Sequence, residues 1–382
     1  MQPELSPFLL FLAWRLLSLS LSNQRNIALN QTPNHQTYKK AVLLVGNFLS
    51  ESGFNRAVTE DLAEQLCAAG WQVSTTSHRV NRLGRLLDMV MTVWIQRHNY
   101  QVAQVDIFSG MAFRWAEAVI WLLRRLSKPY VLTLHGGGLP DFAVSHPKRV
   151  GNLLKHAKVV TTPSVYLKEK MQPYYHGELR VLPNPLEISF YAYRQRVKPK
   201  PTLIWLRAFH QMYNPMLALK VLEKLAQDIP NVTLTMIGPD KGDNSREAVE
   251  QMAKDLGIYE HLELVGGVPR HEVPKLLAQG DIFLNTTRID NTPISVIEAM
   301  ACGLCVISTA VGGIPYLLTD EIDALLTPAD DSNQMVKAVK RILDEPNLAE
   351  KLSDAGRKKA EQFDWSVVLP QWENLLEEVI TK

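Results

Sequence analysis

Residues 41–76 read AVLLVGNFLSESGFNRAVTEDLAEQLCAAGWQVSTT. The run 41–46 is apolar throughout and too short for a helix, which suits a buried strand. An amphipathic helical pattern follows at 54–69, and a second strand pattern occupies 72–76. A continuously apolar strand, a helix and another strand predict a parallel sheet covered on both faces. The unit recurs downstream, with strands expected at 104–108, 130–134, 158–161 and 179–182. Helices are expected at about 82–98, 112–126, 146–156 and 164–170.

The pattern pauses at 183–201, PNPLEISFYAYRQRVKPKP, which is rich in proline and charge and lacks periodicity. It reads as an interdomain linker. Alternation then restarts, with strands at 202–205, 232–237, 262–265, 281–285, 305–308 and 323–326. Helices fall at about 215–228, 244–256, 270–279, 293–302, 331–344 and 347–362. A last helix, about 365–380, carries Trp365, Val368, Trp372, Leu375 and Leu376 on one face. The expected fold is therefore α/β, with two Rossmann-like, doubly wound parallel-sheet domains facing a cleft. The expected divisions are an N-terminal extension at 1–38, a first domain at 39–185, a linker at 186–201, a second domain at 202–364 and the last helix at 365–382. Ligands of such sheets bind beyond the carboxyl ends of the strands.

The 382 residues exceed one ordinary core and suit two domains. Residues 1–190 hold 20 Lys/Arg against 12 Asp/Glu, and the remainder 21 against 27. A basic half of this kind suits a phosphate-bearing or membrane-surface partner. Three cysteines make no disulfide framework and point to a reducing cytosol. Cys302 and Cys305 form a CxxC, but the first sits at the negative end of an expected helix, where a reactive thiolate is disfavoured. No second Cys/His pair completes a zinc site. Residues 7–21, PFLLFLAWRLLSLSL, are short for a membrane span and interrupted by Arg15. They read as part of a poorly ordered extension or a weak membrane contact.

The chemistry concentrates in 285–315, NTTRIDNTPISVIEAMACGLCVISTAVGGIP. A polar loop leads to Pro293 at an expected first helical position, with Thr292 as N-cap. The helix start would aim the free N–H groups of Ile294 and Ser295 at the crevice, a site for a diphosphate. Glu298, just over one turn in, is placed to accept hydrogen bonds from a ribose diol. Asp290, in the preceding loop, is placed to bind hydroxyls of a sugar beyond the phosphates.

Asp290-NTPISVI-Glu298-AMACG resembles the carboxylate-x7-carboxylate motif of the family 4 retaining glycosyltransferases, the group 1 type with the GT-B fold. In that family both acids are Glu; here the first is Asp, one methylene shorter. The resemblance extends to LELVGGVPRHEVPKLLAQGDIFLNTT at 262–287 and to the glycine pair Gly312 and Gly313 in VISTAVGGIPYLL. It includes IWLRAFHQMYNPMLAL, where the family clamps a diphosphate with an Arg and a Lys. Arg207 matches the Arg, whereas Tyr213 and Asn214 stand in the neighbourhood of the Lys. GNFLSESGFNRAVTEDLAEQLCAAG resembles the family's glycine-bearing first loop, which assigns Gly53 to the donor phosphates. His135, before Gly136, Gly137 and Gly138, matches the family's His-Gly facing the reaction centre.

The resemblance implies transfer of a sugar from a nucleotide-diphosphate sugar to an acceptor hydroxyl, with retention. Donor binding falls to Gly53, Arg207, Asp290, Pro293, Ile294, Ser295 and Glu298, with His135 and Asp290 at the reacting sugar. The nucleotide sugar is a co-substrate and no further cofactor is expected; no DxD string invites a catalytic metal. A carbohydrate or lipid-linked acceptor is expected, in envelope polysaccharide or glycolipid synthesis, and nucleic acid is not. Basic residues on the expected helix 79–98, beside Leu86, Leu87, Val90, Val93 and Trp94, suit peripheral contact with the inner face of a membrane. An HGGG hydrolase is excluded, because no GxSxG elbow exists. A nucleotide-sugar epimerase and a catalytically weak binding protein remain as alternatives on the same scaffold.

Overall fold

The computed structural model describes residues 40–52 and 56–381. The expectations placed on residues 1–38 and on Gly53 lie outside them. Strands β1 (Ala41–Val45), β2 (Gln72–Thr76), β3 (Val102–Ile107), β4 (Tyr130–Leu134), β5 (Val159–Thr162) and β6 (Leu179–Val181) form one sheet in the order β2-β1-β3-β4-β5-β6. Strands β7 (Thr202–Leu206), β8 (Thr233–Ile237), β9 (Leu262–Val265), β10 (Ile282–Asn285), β11 (Cys305–Thr309) and β12 (Leu325–Thr327) form the other, in the order β12-β11-β10-β7-β8-β9. Every neighbouring pair is parallel. In each sheet the order reverses once, between β1 and β3 and between β7 and β10. Loops leaving the two strands at a reversal diverge to opposite faces, and a crevice opens between them.

Successive residues of β1 face opposite ways and enter different cores. Leu43 and Val45 pack with Phe113, Val119 and Leu123 of the helix Met111–Arg125. Val42 and Leu44 pack with Leu62 and Leu66, and with Trp365, Val368, Trp372, Leu375, Leu376 and Val379 of the terminal helix Trp365–Thr381. The last helix of the chain thus covers one face of the first sheet. Trp71 Nε1 donates to Glu373 at 3.0 Å and Arg180 pairs with Glu378 at 2.5 Å, which fixes its register.

The proline-rich stretch is not a free connector. Leu186, Ile188 and Tyr191 are buried in a core of the second domain with Val296, Ile297 and Met300. Arg196 is fully buried, with its guanidinium on Asp281 and on the carbonyls of Gly280 and Cys302. Its irregular sequence reflects side chains fitted one at a time into a neighbour, which leaves no period. The structure also adds a short helix, Leu139–Ser145, directly after the three glycines, ahead of Pro147–Leu154. Pro140 in its first turn is compatible with a helix start.

Among the described residues, several side-chain contacts cross between the domains. Arg270 pairs with Asp61 at 2.9 Å, Tyr316 donates to Glu169 at 2.6 Å, and Ser164 Oγ donates to Asn291 Oδ1. They bring the carboxyl end of the first sheet against the loop that follows β10. Among the described residues, no helix is long and apolar enough to cross a membrane.

Candidate functional site

Arg207 is the first residue after β7 and Asp290 lies in the loop after β10, so the two flank the point where the second sheet reverses. Their side chains form an ion pair, and the guanidinium also lies 4.9 Å from the centre of the Tyr213 ring. Asp290 Oδ1 accepts from the amide of Asn291 at 2.8 Å. Burial pushes the Asp290 carboxyl above its ordinary value, against the pull of Arg207. The loop is held from below by the glycine pair. Gly313 N donates to the Asp290 carbonyl at 2.8 Å. A Cβ on Gly312 would lie 2.2 Å from that carbonyl oxygen, and one on Gly313 would lie 1.9 Å from the Asn291 oxygen. Only hydrogen fits at either position.

The helix begins one residue later than the sequence suggests, spanning Ile294–Ala301. Pro293 has an extended ψ of 109° and is itself the N-cap; its carbonyl accepts from Val296 at 3.1 Å. Thr292 does not cap. Its Oγ1 is buried without a partner, as are Ser295 Oγ and Arg207 Nε. No acceptor among the described residues meets the backbone N–H groups of Ile294 and Ser295. Buried polar groups in folded proteins nearly always have partners. Several without one, at a helix start beside a guanidinium, form a place for an anion with further hydroxyls.

Glu298 is almost fully buried, and the Tyr191 hydroxyl donates to its Oε1 at 2.7 Å. Burial pushes the Glu298 carboxyl up, opposed by Tyr191 and by the fields of Arg270 and Arg207. The neighbouring Tyr191 phenol is raised by its own burial and by that carboxylate. Tyr191 and Arg270 were not among the residues singled out from the sequence. Tyr191 sits in the stretch read as linker, and Arg270 in a segment whose charges look like an ordinary solvated turn. The region of the absent Lys holds Tyr213 beneath Arg207, and Asn214, whose amide donates to Asp330 at 2.7 Å.

In the first domain, His135 directly follows β4. Its Nε2 lies 3.0 Å from Asp106 Oδ1, and its ring stacks on Phe108 at 5.1 Å. Gly53 lies outside the described residues. Of the two motif cysteines, Cys302 ends the helix and Cys305 opens β11. Burial pushes their thiols up to about 11 and about 12, so both stay protonated at neutral pH.

Of the helix read at 79–98, residues Arg82–Ile95 are helical. Its apolar positions divide. Met89 and Val93 are buried and Leu86 and Val90 pack against that core, but Leu83, Leu87 and Trp94 are exposed, Leu83 by 67%.

Residues 193–359 match the family described as glycosyl transferases group 1. Among curated proteins, the chain is 32% identical over 127 residues to one component of the phosphatidylinositol N-acetylglucosaminyltransferase of Arabidopsis thaliana, covering 33% of this chain and 27% of that protein. It is 26% identical over 238 residues to the GDP-mannose-dependent alpha-(1-6)-phosphatidylinositol monomannoside mannosyltransferase of Mycolicibacterium smegmatis, covering 57% of this chain and 61% of the relative. The chain thus spans less than two thirds of the length of either relative. Among solved structures, sucrose-phosphate synthase from Thermosynechococcus elongatus aligns with a TM-score of 0.71 at 17% identity, over 90% of this chain and all of that one. Anabaena HepE in complex with UDP and glucose aligns with a TM-score of 0.69 at 18% identity, over 89% of this chain and all of that one. The segment that matches the glycosyl transferases group 1 family ends in the helix Leu348–Glu361, and both sheets have the GT-B arrangement of these solved structures.

Proposed function

We propose that the chain moves a glycosyl unit from a nucleotide-diphosphate sugar to an acceptor hydroxyl, with retention at the anomeric carbon. One observation carries this reading. At the reversal point of the second sheet, Arg207, the unpartnered hydroxyls of Thr292 and Ser295 and the free amides of Ile294 and Ser295 adjoin two buried carboxyl groups. Donors of this kind stabilise the charge that develops on a departing diphosphate, and each is worth about a hundredfold or more in rate. Glu298, held by Tyr191, grips the ribose, and Asp290 orients the sugar once the donor displaces Arg207 toward the phosphates. Arg270 is the cation placed to share the role of the absent Lys, because its field already reaches Glu298. The leaving-group charge is met by arginine and amides, so the step needs no divalent cation.

The acceptor we propose is lipid-linked, reached by peripheral contact with an anionic membrane. Leu83, Leu87 and Trp94 lie at i, i+4 and i+11 on one exposed helix face, with Trp121 exposed on Met111–Arg125. Arg79, Arg82, Arg124 and Arg125 are exposed around them. The acids of these two helices are engaged, Asp88 by Thr76 and Glu117 by Arg149. Apolar side chains amid unopposed arginines suit the headgroup layer. The two curated relatives carry phosphatidylinositol in their names, in keeping with a lipid-linked acceptor.

The test is incubation with UDP-glucose, UDP-N-acetylglucosamine and GDP-mannose, with and without vesicles containing phosphatidylinositol. Release of nucleoside diphosphate with a glycosylated lipid, unchanged by EDTA, is the expected result. A converted nucleotide sugar with no glycosylated acceptor would make the chain an epimerase, and binding without turnover would make it a sugar-nucleotide-binding protein.

A further inference from the structure

Asp106 occupies the reversal point of the first sheet, near the end of β3 and beside Gly46 at the end of β1. Its carboxylate is almost fully buried, yet it is fully engaged. Oδ1 meets His135 Nε2 at 3.0 Å and accepts from Gln104 Nε2 at 2.8 Å, while Oδ2 accepts from Thr59 Oγ1. Gln104 also donates to Thr133 at 2.9 Å, and Thr161 donates to Thr133 at 3.0 Å, so the network continues beneath three adjacent strands. Gly46 makes room for it, since a Cβ there would lie 2.6 Å from Asp106 Oδ2. Burial opposes ionisation, but His135, Thr59 and Gln104 together hold this carboxyl below the usual aspartate range. An ionised carboxylate only accepts, so the shared hydrogen sits on His135 Nε2. In neutral imidazole the other nitrogen is then an acceptor. Nδ1 has no partner among the described residues and is not among the buried unpaired atoms, so it reaches solvent. Phe108 closes one face of the ring.

We infer that Asp106 is a positioning residue that locks His135 as the Nε2–H tautomer, presenting Nδ1 at the crevice as acceptor for a hydroxyl of the sugar or the incoming glycan. The identity of that hydroxyl rests on the glycosyl-transfer reading; the tautomer does not. Asp106 touches no substrate and acts through the imidazole. A free histidine at a strand end would exchange tautomers and rotate, and a hydrogen-bonded second group removes both freedoms.

The experiment is nitrogen-15 NMR of the His135 ring in the wild type and in Asp106→Asn, assigned with His135→Asn. A wild-type ring protonated at Nε2 with an unprotonated Nδ1, and loss of that bias in Asp106→Asn, is the expected result. An Nδ1–H ring in the wild type, or an unchanged ring in the variant, overturns the inference. Should Asp106→Asn fail to fold, the wild-type spectrum alone decides the tautomer.

Steady-state release of nucleoside diphosphate, with the three donors and vesicles named above, supplies the second readout. In Asp106→Asn, kcat is expected to fall about tenfold to a hundredfold, with KM for the donor within about twofold. In the His135→Asn background the same substitution should add nothing, whereas an equal further loss would mean that Asp106 is merely structural and would overturn the role. If the wild type releases no nucleoside diphosphate from any donor, the transferase reading fails while the NMR still decides the placement of the ring.

Discussion

At the end of β3, Asp106 accepts from three side chains, and burial leaves its charge intact. At the corresponding place in the second sheet, Asp290 has one guanidinium and one amide, and Glu298 one phenol, and burial raises both carboxyl groups. Around the first acid the network runs on through Gln104, Thr133 and Thr161, with Gln104 Oε1 left buried without a partner. Around the second pair, Arg207 Nε, Thr292 Oγ1 and Ser295 Oγ are buried without partners. The same fold thus carries one reversal point whose carboxylate is fully engaged, with Gln104 Oε1 beside it buried without a partner, and one where three polar atoms around the acids are buried without partners. On the readings proposed above, the first holds a ring in place and the second exchanges its internal pairs for a ligand.

Substitutions can break this contrast. The largest expected effect comes from Arg207→Ala, which removes the cation beside the helix start. Nucleoside-diphosphate release should fall about a hundredfold or more. A loss under threefold would mean that the guanidinium does not face the leaving group. Next comes Gly313→Ala, whose Cβ would lie 1.9 Å from the Asn291 oxygen and must push the Asp290 loop outward. A displacement of that size costs on the order of tenfold to a hundredfold in rate. Gly137→Ala, in the first domain, meets nothing within 4 Å and should stay within about twofold, a control for a glycine without close packing.

The smallest effect is the most direct test of the opposed acids, and its sign differs between them. Glu298 titrates above its ordinary value of about 4.3 in the folded protein, so the native state binds the extra proton. Stability therefore falls as pH rises through that interval and stays lower above it. Asp106 titrates below the ordinary aspartate value, so its contribution is present above that value and is lost as pH falls through the folded pKa. Urea melts at pH 3 and pH 8 should show Glu298→Gln gaining on the wild type toward pH 8, and Asp106→Asn losing ground there. Two variants moving the same way would erase the distinction between the two ends.

The sheets were legible because their strands are short, apolar and separated by amphipathic segments, and that pattern survives without any knowledge of packing. β1, β4 and β10 carry almost nothing but apolar residues. The carboxylate pair and Arg207 were legible as types at a spacing. Tyr191 was not, because a residue that reaches its partner across 107 positions leaves no local signal. Asp106 was missed for a related reason. It sits inside a strand, where its role depends on Gly46, Thr59 and His135 arriving from three other elements. The helix at 82–95 was legible as amphipathic, but which of its apolar residues face outward depends on where the Met111–Arg125 helix lies.

The helix Trp365–Thr381 has a bearing on how the chain comes into being. A ribosome delivers the first sheet early, but the face with Val42, Leu44, Val102, Val131 and Val159 is covered only in part, by Leu62 and Leu66, until the 17-residue helix Trp365–Thr381 emerges. The domain made first is completed only after the second. A message truncated just before Trp365 would yield not merely a shortened chain but a sheet with much of one oily side turned to water, a substrate for chaperones and proteases.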